Sequence, residues 1–519
     1  MRGTHAPGTV LRRTELPREH WPANAAAGYR VSYRGTDYAG RPQIVTASVF
    51  VPSGTPPADG WPVIGYAHGT TGLGTAAAPS RTGFLPLERD HIGGWLAGGN
   101  IVAATDYEGL AAPGPHPYFN GEAVADDVVD AVRAAHGIDH PVSPRWMVVG
   151  FSQGGHAALH VALMATGYAP ELDFRGGVAL CPPVYLSDLV VQLTQDPAAP
   201  LSPIVPILLA GLTTTHPLFD PTALLSGTGR GLLDRAKEAT FVDMMRACAG
   251  VTNAAAGVVD ITAEPTVQAV LTAATVPVAR LDRPMFLAGA DLDVIVPETL
   301  VDRYATASAG SGTPVHYVRC ADAGHAQILD HKRHGAVDWA RTRLEEDTSV
   351  EPAYRGFHAM DASHDGYLRR DDFEAFALRL VQALRHSPGT PTARAVRAGY
   401  LRLWLGISAA DTNGDNRISA AEYRRWVHDR TAADFDTLLR PLAEAVLALV
   451  DTNGDGVLSR EEFDTLCSAC RMPRQLADRE FQLLDTDHSG TIDVDEIIVG
   501  LREFCRGADA PGQWLFGHF

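Results

Sequence analysis

A chain of 519 residues is too long for one hydrophobic core and predicts two or three domains. With 45% hydrophobic and 20% charged residues it is ordinary globular protein, which excludes wholesale disorder, and a net charge of −18 disfavours nucleic acid or an anionic membrane as partner. Acidity is denser at the C-terminal end, where residues 350–519 hold 27 acids against 19 bases while the twice longer 1–349 hold 34 against 24, and this suits a tail that collects cations.

The first twenty residues carry arginines but no apolar h-region, so no secretory leader is visible and a cytoplasmic location is expected. No run of about 18 uncharged apolar residues follows, so no transmembrane segment is expected. From about Tyr29 to Arg343 the apolar runs YRVSYR, QIVTASVFV, PVIGYAH, NIVAATDY, WMVVGFS, GGVALC, PMFLAGA and VHYVRC alternate with helix-like segments such as 123–136 and 154–166. Near-continuous apolar strands separated by helices predict a mostly parallel sheet buried on both faces, an α/β domain over residues 1–349. Between Cys181 and Arg280 the strand signals stop, and Pro-broken Leu/Ala-rich segments predict a helical cap inserted at about 182–280. Beyond residue 350, Asp-rich loops begin at Asp361, Asp411, Asp451 and Asp485, a repeat that predicts an all-α array over 350–519. Six scattered cysteines make no disulfide framework; Cys467 and Cys470 form a CxxC without a second pair, so buried thiols are expected.

Gly150-Phe151-Ser152-Gln153-Gly154 lies between an apolar strand and an alanine-rich helix, the context in which G-x-S-x-G forms a nucleophile elbow. A serine hydroxyl needs a base, and the base an acid to fix its tautomer. In an α/β hydrolase these follow in the order acid, then histidine. Strand PMFLAGA runs into Asp291-Leu292-Asp293, and strand VHYVRC into Asp322-Ala323-Gly324-His325. His325 is the expected base. Asp293 is favoured over Asp291 and Asp322 as the acid because of its step to Pro297. The loop His68-Gly69-Thr70-Thr71 follows a strand where this fold supplies one oxyanion amide; Thr70 is chosen, with Thr71 close behind, and Gln153 supplies the other. His68 is read as a loop-shaping residue.

An EF-hand loop takes oxygen ligands from positions 1, 3, 5, 7 and 12, with glycine at 6 and a bidentate glutamate at 12. Residues 451–462 fit throughout with Asp451, Asn453, Asp455, Val457 by its carbonyl, and Glu462; residues 485–496 fit with Asp485, Asp487, Ser489, Thr491 and Glu496. Leu458 and Ile492 at position 8 are expected to pair in a short ribbon. The loop at 361–372 offers Asp361, Ser363, Asp365 and Tyr367 but ends in the shorter Asp372. The loop at 411–422 offers Asp411, Asn413, Asp415, Arg417 and Glu422, with Asn416 where glycine is expected. Both should bind Ca2+ more weakly.

With these residues in place, the first part resembles the secretory lipase family of α/β hydrolases, through APGTVLRR, AHGTTG, TDYEGL, GFSQGGHAAL, DVIVP and AGHAQI. The resemblance implies Ser152 as nucleophile, Asp293 as acid at the D-x-x-V-P step, His325 as base, the long insert as lid, and Asp106 and Glu108 as residues that shape the site. It also implies cleavage of acyl esters, lipid or short-chain. Residues 350–510 resemble the calerythrin group and the sarcoplasmic calcium-binding proteins, with four EF-hands in one domain. The expected function is therefore a serine ester hydrolase carrying a calcium-binding domain that stabilises or regulates it. The alternative is a calcium sensor or buffer whose hydrolase part has become a partner-docking scaffold.

Overall fold

Eight apolar runs of the sequence become strands of one sheet, joined by a first strand that carries no apolar signature. The computed structural model describes residues 6–112, 114–281, 283–345, 356–357, 360–362, 367–412, 414–469 and 474–506. Two units are distinguished, Met1–Glu346 and Asp347–Phe519. The strands of the first are β1 (Val10–Glu15), β2 (Ala25–Thr36), β3 (Pro42–Pro52), β4 (Trp61–Ala67), β5 (Ile101–Thr105), β6 (Val142–Phe151), β7 (Asp173–Leu180), β8 (Met285–Ala290) and β9 (Val315–Cys320). They lie in the order β1-β2-β3-β5-β4-β6-β7-β8-β9. The pairs among β1, β2, β3 and β5 are antiparallel, and every pair from β5 through β9 is parallel. Strand β1 escapes a pattern search because it is a mostly exposed edge strand.

The central strands bury both faces, which is why they read as unbroken apolar runs. Strand β4 sends Val63 and Ala67 into one core, with Val128, Val132 and Leu159 of helices Gly121–Ala135 and Gln153–Tyr168. It sends Ile64 and Tyr66 into the other, with Ile92 and Trp95 of helix Pro86–Ala97 and Ala340 of helix Ala336–Glu345. This is a three-layer α/β sheet whose parallel strands deliver their C-terminal ends to one edge, where α/β folds place ligands.

Between β7 and β8 run helices Leu186–Thr194, Ile204–Thr215, Gly227–Ala236, Phe241–Cys248 and Pro265–Ala274. Their backbone joins the loop after β4: Phe241 N–H donates to Thr71 O at 2.7 Å and Leu73 N–H to Ala239 O at 3.2 Å.

The second unit has its own core, including Phe373, Tyr400, Leu439, Phe463 and Leu501. Helices Arg370–Ala383, Pro391–Ile407, Ala420–His428, Ala432–Val450, Arg460–Ala469, Arg474–Leu484 and Val494–Arg506 flank two short ribbons. One pairs Leu368 with Ile418, the other Leu458 with Ile492, as expected for the last two loops. Cys181, Cys248, Cys320, Cys467 and Cys505 are free and buried; Cys470 lies outside the described residues. No helix among the described residues is long and apolar enough to cross a membrane.

Candidate active site and calcium loops

The two glycines around Ser152 are required by close approach. A Cβ on Gly154 would lie 1.8 Å from Ala67 O, and one on Gly150 would lie 1.8 Å from Gly154 O. The helix that follows Ser152 can therefore pass directly over the end of β4 only without side chains there. Ser152 sits in the turn at φ 53°, a left-handed backbone that serine rarely adopts and that marks the strained elbow.

Three strand ends meet at this serine. Ser152 Oγ follows β6 and lies 2.9 Å from His325 Nε2, beyond β9; His325 Nδ1 lies 2.6 Å from Asp293 Oδ2, beyond β8. With Nδ1–H donating to the carboxylate, Nε2 is free to accept the serine proton. Asp293 is buried, and its other oxygen accepts Ile295 N–H at 2.8 Å and Val296 N–H at 2.9 Å, so the turn leading to Pro297 holds the acid. The acid loop and the histidine loop are tied by Asp291 N–H to Cys320 O (3.0 Å) and Leu292 N–H to Ala323 O (2.9 Å). Asp291 and Asp322 stand apart from the relay: Asp291 is bound to Arg319 at 2.6 Å, and Asp322 is exposed and paired with Arg333 at 2.8 Å. Cys181, buried at the end of β7, completes a cluster in which its sulfur and one ligand atom each of Asp293 and His325 lie within 4.8 Å of one another.

Beside Ser152, the loop after β4 leaves Thr70 N–H without a partner among the described residues. Thr70 Oγ1 is 2.6 Å from Tyr118 OH. Gln153 begins its helix, where the first amides have no intrahelical acceptor. Its side chain meets His116 Nε2 at 2.9 Å, while His116 Nδ1 lies 2.9 Å from Glu108 O. Burial lowers His116 to about 3, so the ring is neutral, accepts at Nε2 and donates from Nδ1. Burial likewise lowers His68 to about 4, and its Nδ1–H donates to Gly69 O at 2.6 Å. His68 shapes the loop.

The TDYEGL stretch supports this loop from behind. Asp106 is fully buried, accepting Ser80 N–H at 2.8 Å and the hydroxyls of Thr46 and Ser80, while Glu108 N–H donates to Asp127 at 2.6 Å. Tyr107, between them, reaches the site itself: its OH donates to His68 O at 3.0 Å. No motif of the sequence singles out Glu88, His116 or Tyr118. A signal for Glu88 did exist, because positions 88, 91, 92, 95 and 96 form one buried helical stripe with a carboxyl in it.

In the second unit the loop carboxylates are held by the loops' own amides. Asp451 accepts Gly454 N–H at 2.6 Å and Gly456 N–H at 3.0 Å; Asn453 accepts Asp455 N–H at 2.8 Å; Asp455 accepts Val457 N–H at 3.1 Å; and Glu462 accepts Thr452 N–H at 2.8 Å and Ser459 N–H at 3.0 Å. In the last loop Asp485 accepts Gly490 N–H at 3.0 Å, Asp487 accepts Ser489 N–H at 2.9 Å and Glu496 accepts Thr486 N–H at 2.7 Å; one oxygen each of Asp485, Asp487 and Glu496 lie within 4.8 Å of one another. Ser489 Oγ meets Thr491 O at 3.1 Å. This donor set, all oxygen, fits a hard cation.

In the loop at 411, Asp411 accepts Gly414 N–H at 2.7 Å, Glu422 accepts Thr412 N–H at 3.2 Å, and Asn416 takes the left-handed backbone at φ 60°. There Arg417 Nε donates to Asp415 at 2.8 Å, a cation already seated on one ligand. In the loop at 361, Asp361 and Asp372 are buried and Tyr367 begins the ribbon. Ser363, Asp365 and Asn413 lie outside the described residues.

The secretory lipase family model matches residues 76–352, and an EF-hand model matches 407–428, 443–467 and 476–499. The chain belongs to the secretory lipase family and carries EF-hand calcium-binding units behind that domain. It is similar to Lipase A of Moesziomyces aphidis, 27% identical over 41% of this chain and 47% of that protein. It is also similar to "Probable inactive lipase MT1628" of Mycobacterium tuberculosis, 26% identical over 47% and 57%. To calerythrin of Saccharopolyspora erythraea it is 24% identical over 29% of this chain and 88% of that one. The chain thus spans about half the length of the lipase relatives it matches. The closed-state structure of Candida antarctica lipase A shares the fold at a TM-score of 0.54 and 21% identity, over 66% of this chain and 83% of that one.

Gly231, exposed in helix Gly227–Ala236, has open space where a Cβ would go. Gly154→Ala is expected to destabilise the unit by about 1–3 kcal/mol or to prevent folding, whereas Gly231→Ala stabilises it by roughly 0.5–1 kcal/mol. Thermal unfolding of the two variants checks this; equal melting temperatures would contradict the close approach.

Proposed function

We propose that the N-terminal unit is a serine ester hydrolase working through an acyl-enzyme, and that the C-terminal unit binds calcium and stabilises or regulates it. The observation that carries this reading is the Ser152–His325–Asp293 relay, at 2.9 and 2.6 Å, in a strained elbow at the C-terminal edge of the sheet. Ser152 Oγ attacks the ester carbonyl carbon while its proton passes to His325 Nε2, and the Thr70 and Gln153 amides receive the charge on the carbonyl oxygen. Collapse breaks the acyl–oxygen bond, and His325 returns the proton to the departing alcohol. Water, giving a proton to His325, then attacks the acyl-enzyme; the acyl–Oγ bond breaks, His325 returns the proton to Ser152 Oγ, and the carboxylic acid is released. Ser152 is only 6% exposed, and the helical insert between β7 and β8, bonded to the loop beside it, is the element placed to act as a lid over substrate entry. The insert is then the element that selects the acyl chain, lipid or short.

A second reading, a calcium sensor or buffer whose hydrolase part docks a partner, draws support from the name of the Mycobacterium tuberculosis relative. The intact relay weighs against it. Labelling by a fluorophosphonate separates the two: the hydrolase reacts at Ser152, the scaffold does not. On nitrophenyl esters from acetate to palmitate, Ser152→Ala should abolish turnover with the fold retained. Asp293→Asn should lower kcat by about 10⁴-fold because only this acid sets the His325 tautomer, while Asp291→Asn should stay near wild type. The reverse order would reassign the acid.

For calcium, the loops at 451 and 485 should fill first, with dissociation constants of about 10⁻⁷ to 10⁻⁵ M. The loop at 411 trails, because Asn416 holds a glycine-like turn at roughly 1 kcal/mol, about fivefold in affinity, and Arg417 competes for Asp415. The loop at 361 trails because Asp372 is one methylene shorter than glutamate. Calorimetric titration of Glu462→Gln and Glu496→Gln should remove the tight phase; an unchanged tight phase would move it to the first two loops. Hydrogen exchange with chelator should loosen residues 350–510 and leave the sheet protected.

A further inference from the structure

Glu88 is a buried carboxyl that acyl transfer leaves idle. It is 5% exposed on helix Pro86–Ala97, and burial pushes it up to about 7. Burying a carboxyl away from a cation is costly, and a methionine or leucine would fill the same stripe without that cost. What Glu88 supplies is an acceptor: its Oε1 receives Gly69 N–H at 3.0 Å and Tyr66 OH at 3.3 Å.

The Gly69 amide belongs to the His68–Gly69 peptide, whose carbonyl oxygen is taken by Tyr107 OH at 3.0 Å. That peptide is therefore gripped at both ends and cannot flip. The next peptide, Gly69–Thr70, has its oxygen held by His68 Nδ1–H at 2.6 Å, and its own amide, Thr70 N–H, points the opposite way without a partner among the described residues. From the other side Phe151 closes on the loop: a Cβ on Gly69 would lie 2.9 Å from its ring. The loop thus has a fixed orientation and one amide left over.

We propose that Glu88 is a positioning residue of the oxyanion hole: by holding Gly69 N–H against the pull of Tyr107 on His68 O, it locks that peptide and so aims the Thr70 amide at the oxyanion. The inference rests on the ester-hydrolase reading. Because the Thr70 amide that Glu88 aims acts on charge that develops only in the transition state, loss of Glu88 falls on kcat and spares KM.

The test compares wild type, Glu88→Met and Glu88→Gln on nitrophenyl butyrate. Methionine keeps the volume without the carboxyl acceptor, and glutamine keeps an acceptor oxygen. Glu88→Met should lower kcat about 10²-fold with KM within about threefold, and should weaken binding of an aryl boronic acid, a tetrahedral mimic, in proportion. Glu88→Gln should stay within about fivefold of wild type on both readouts. A Glu88→Met kcat within threefold of wild type, a loss confined to KM, or an equal loss in Glu88→Gln would overturn the proposal. If Glu88→Met does not fold, Glu88→Asp, whose shorter arm withdraws the carboxylate, is read the same way, with an expected loss of at least about tenfold in kcat. Absence of Ser152-dependent hydrolysis in wild type itself would bring down the ester-hydrolase reading and this one with it; normal wild-type turnover beside an unimpaired Glu88→Met would remove this one alone.

Discussion

The backbone of Gly154 passes so near the end of β4 that a methyl group there would meet the Ala67 carbonyl at 1.8 Å, and the rest of the site is arranged around that approach. It brings the first turn of helix Gln153–Tyr168 alongside the loop that begins at His68. One strand end then presents the hydroxyl of Ser152, and the neighbouring one presents the amide of Thr70. No flexible side chain has to carry either group across a gap. The strain of the left-handed Ser152 is sustained by a sheet whose central strands are buried on both faces.

Around this contact the polar groups are satisfied in a consistent sense. His68 and His116 are kept neutral by burial, so each ring has one donor and one acceptor nitrogen. His68 uses its donor on Gly69 O, and His116 presents its acceptor to Gln153. Glu88 from one helix and Tyr107 from the DYEGL turn take the two ends of the same peptide. The acid and histidine loops are likewise joined by backbone hydrogen bonds, which tie the segments carrying Asp293 and His325 to each other.

The EF-hand loops follow a different logic. Asp451, Asp455, Asp485 and Asp487 each bind amides two to five residues further along, so the ligand geometry is built within a dozen residues. Long-range structure adds the ribbons that join the loops in pairs and the apolar core that seats their helices. The competing contact of Arg417 with Asp415 is also local, yet motif matching is blind to it because position 7 is read for its carbonyl alone.

Features dictated by short-range chemistry are legible in the chain without its fold. Apolar runs declared the buried strands, G-x-S-x-G declared an elbow that only small residues permit, and the spacing of oxygen ligands declared the calcium loops. In the sequence only resemblance and the step to Pro297 favour Asp293 over Asp291; the tertiary structure places one carboxylate behind His325 and the other on Arg319. Strand β1 was illegible because an exposed edge strand needs no apolar pattern. His116 and Tyr118 are illegible as site residues, and Glu88 shows only as a carboxyl in a buried stripe, because each meets its partner, the Gly69 amide for Glu88, the Thr70 hydroxyl for Tyr118 and the Gln153 side chain for His116, from 19 to 48 positions away in the chain, so folding alone makes them neighbours. A backbone amide carries no residue-specific signature, so what holds it in place is decided by the packing of layers, and that packing is a property of the folded chain alone.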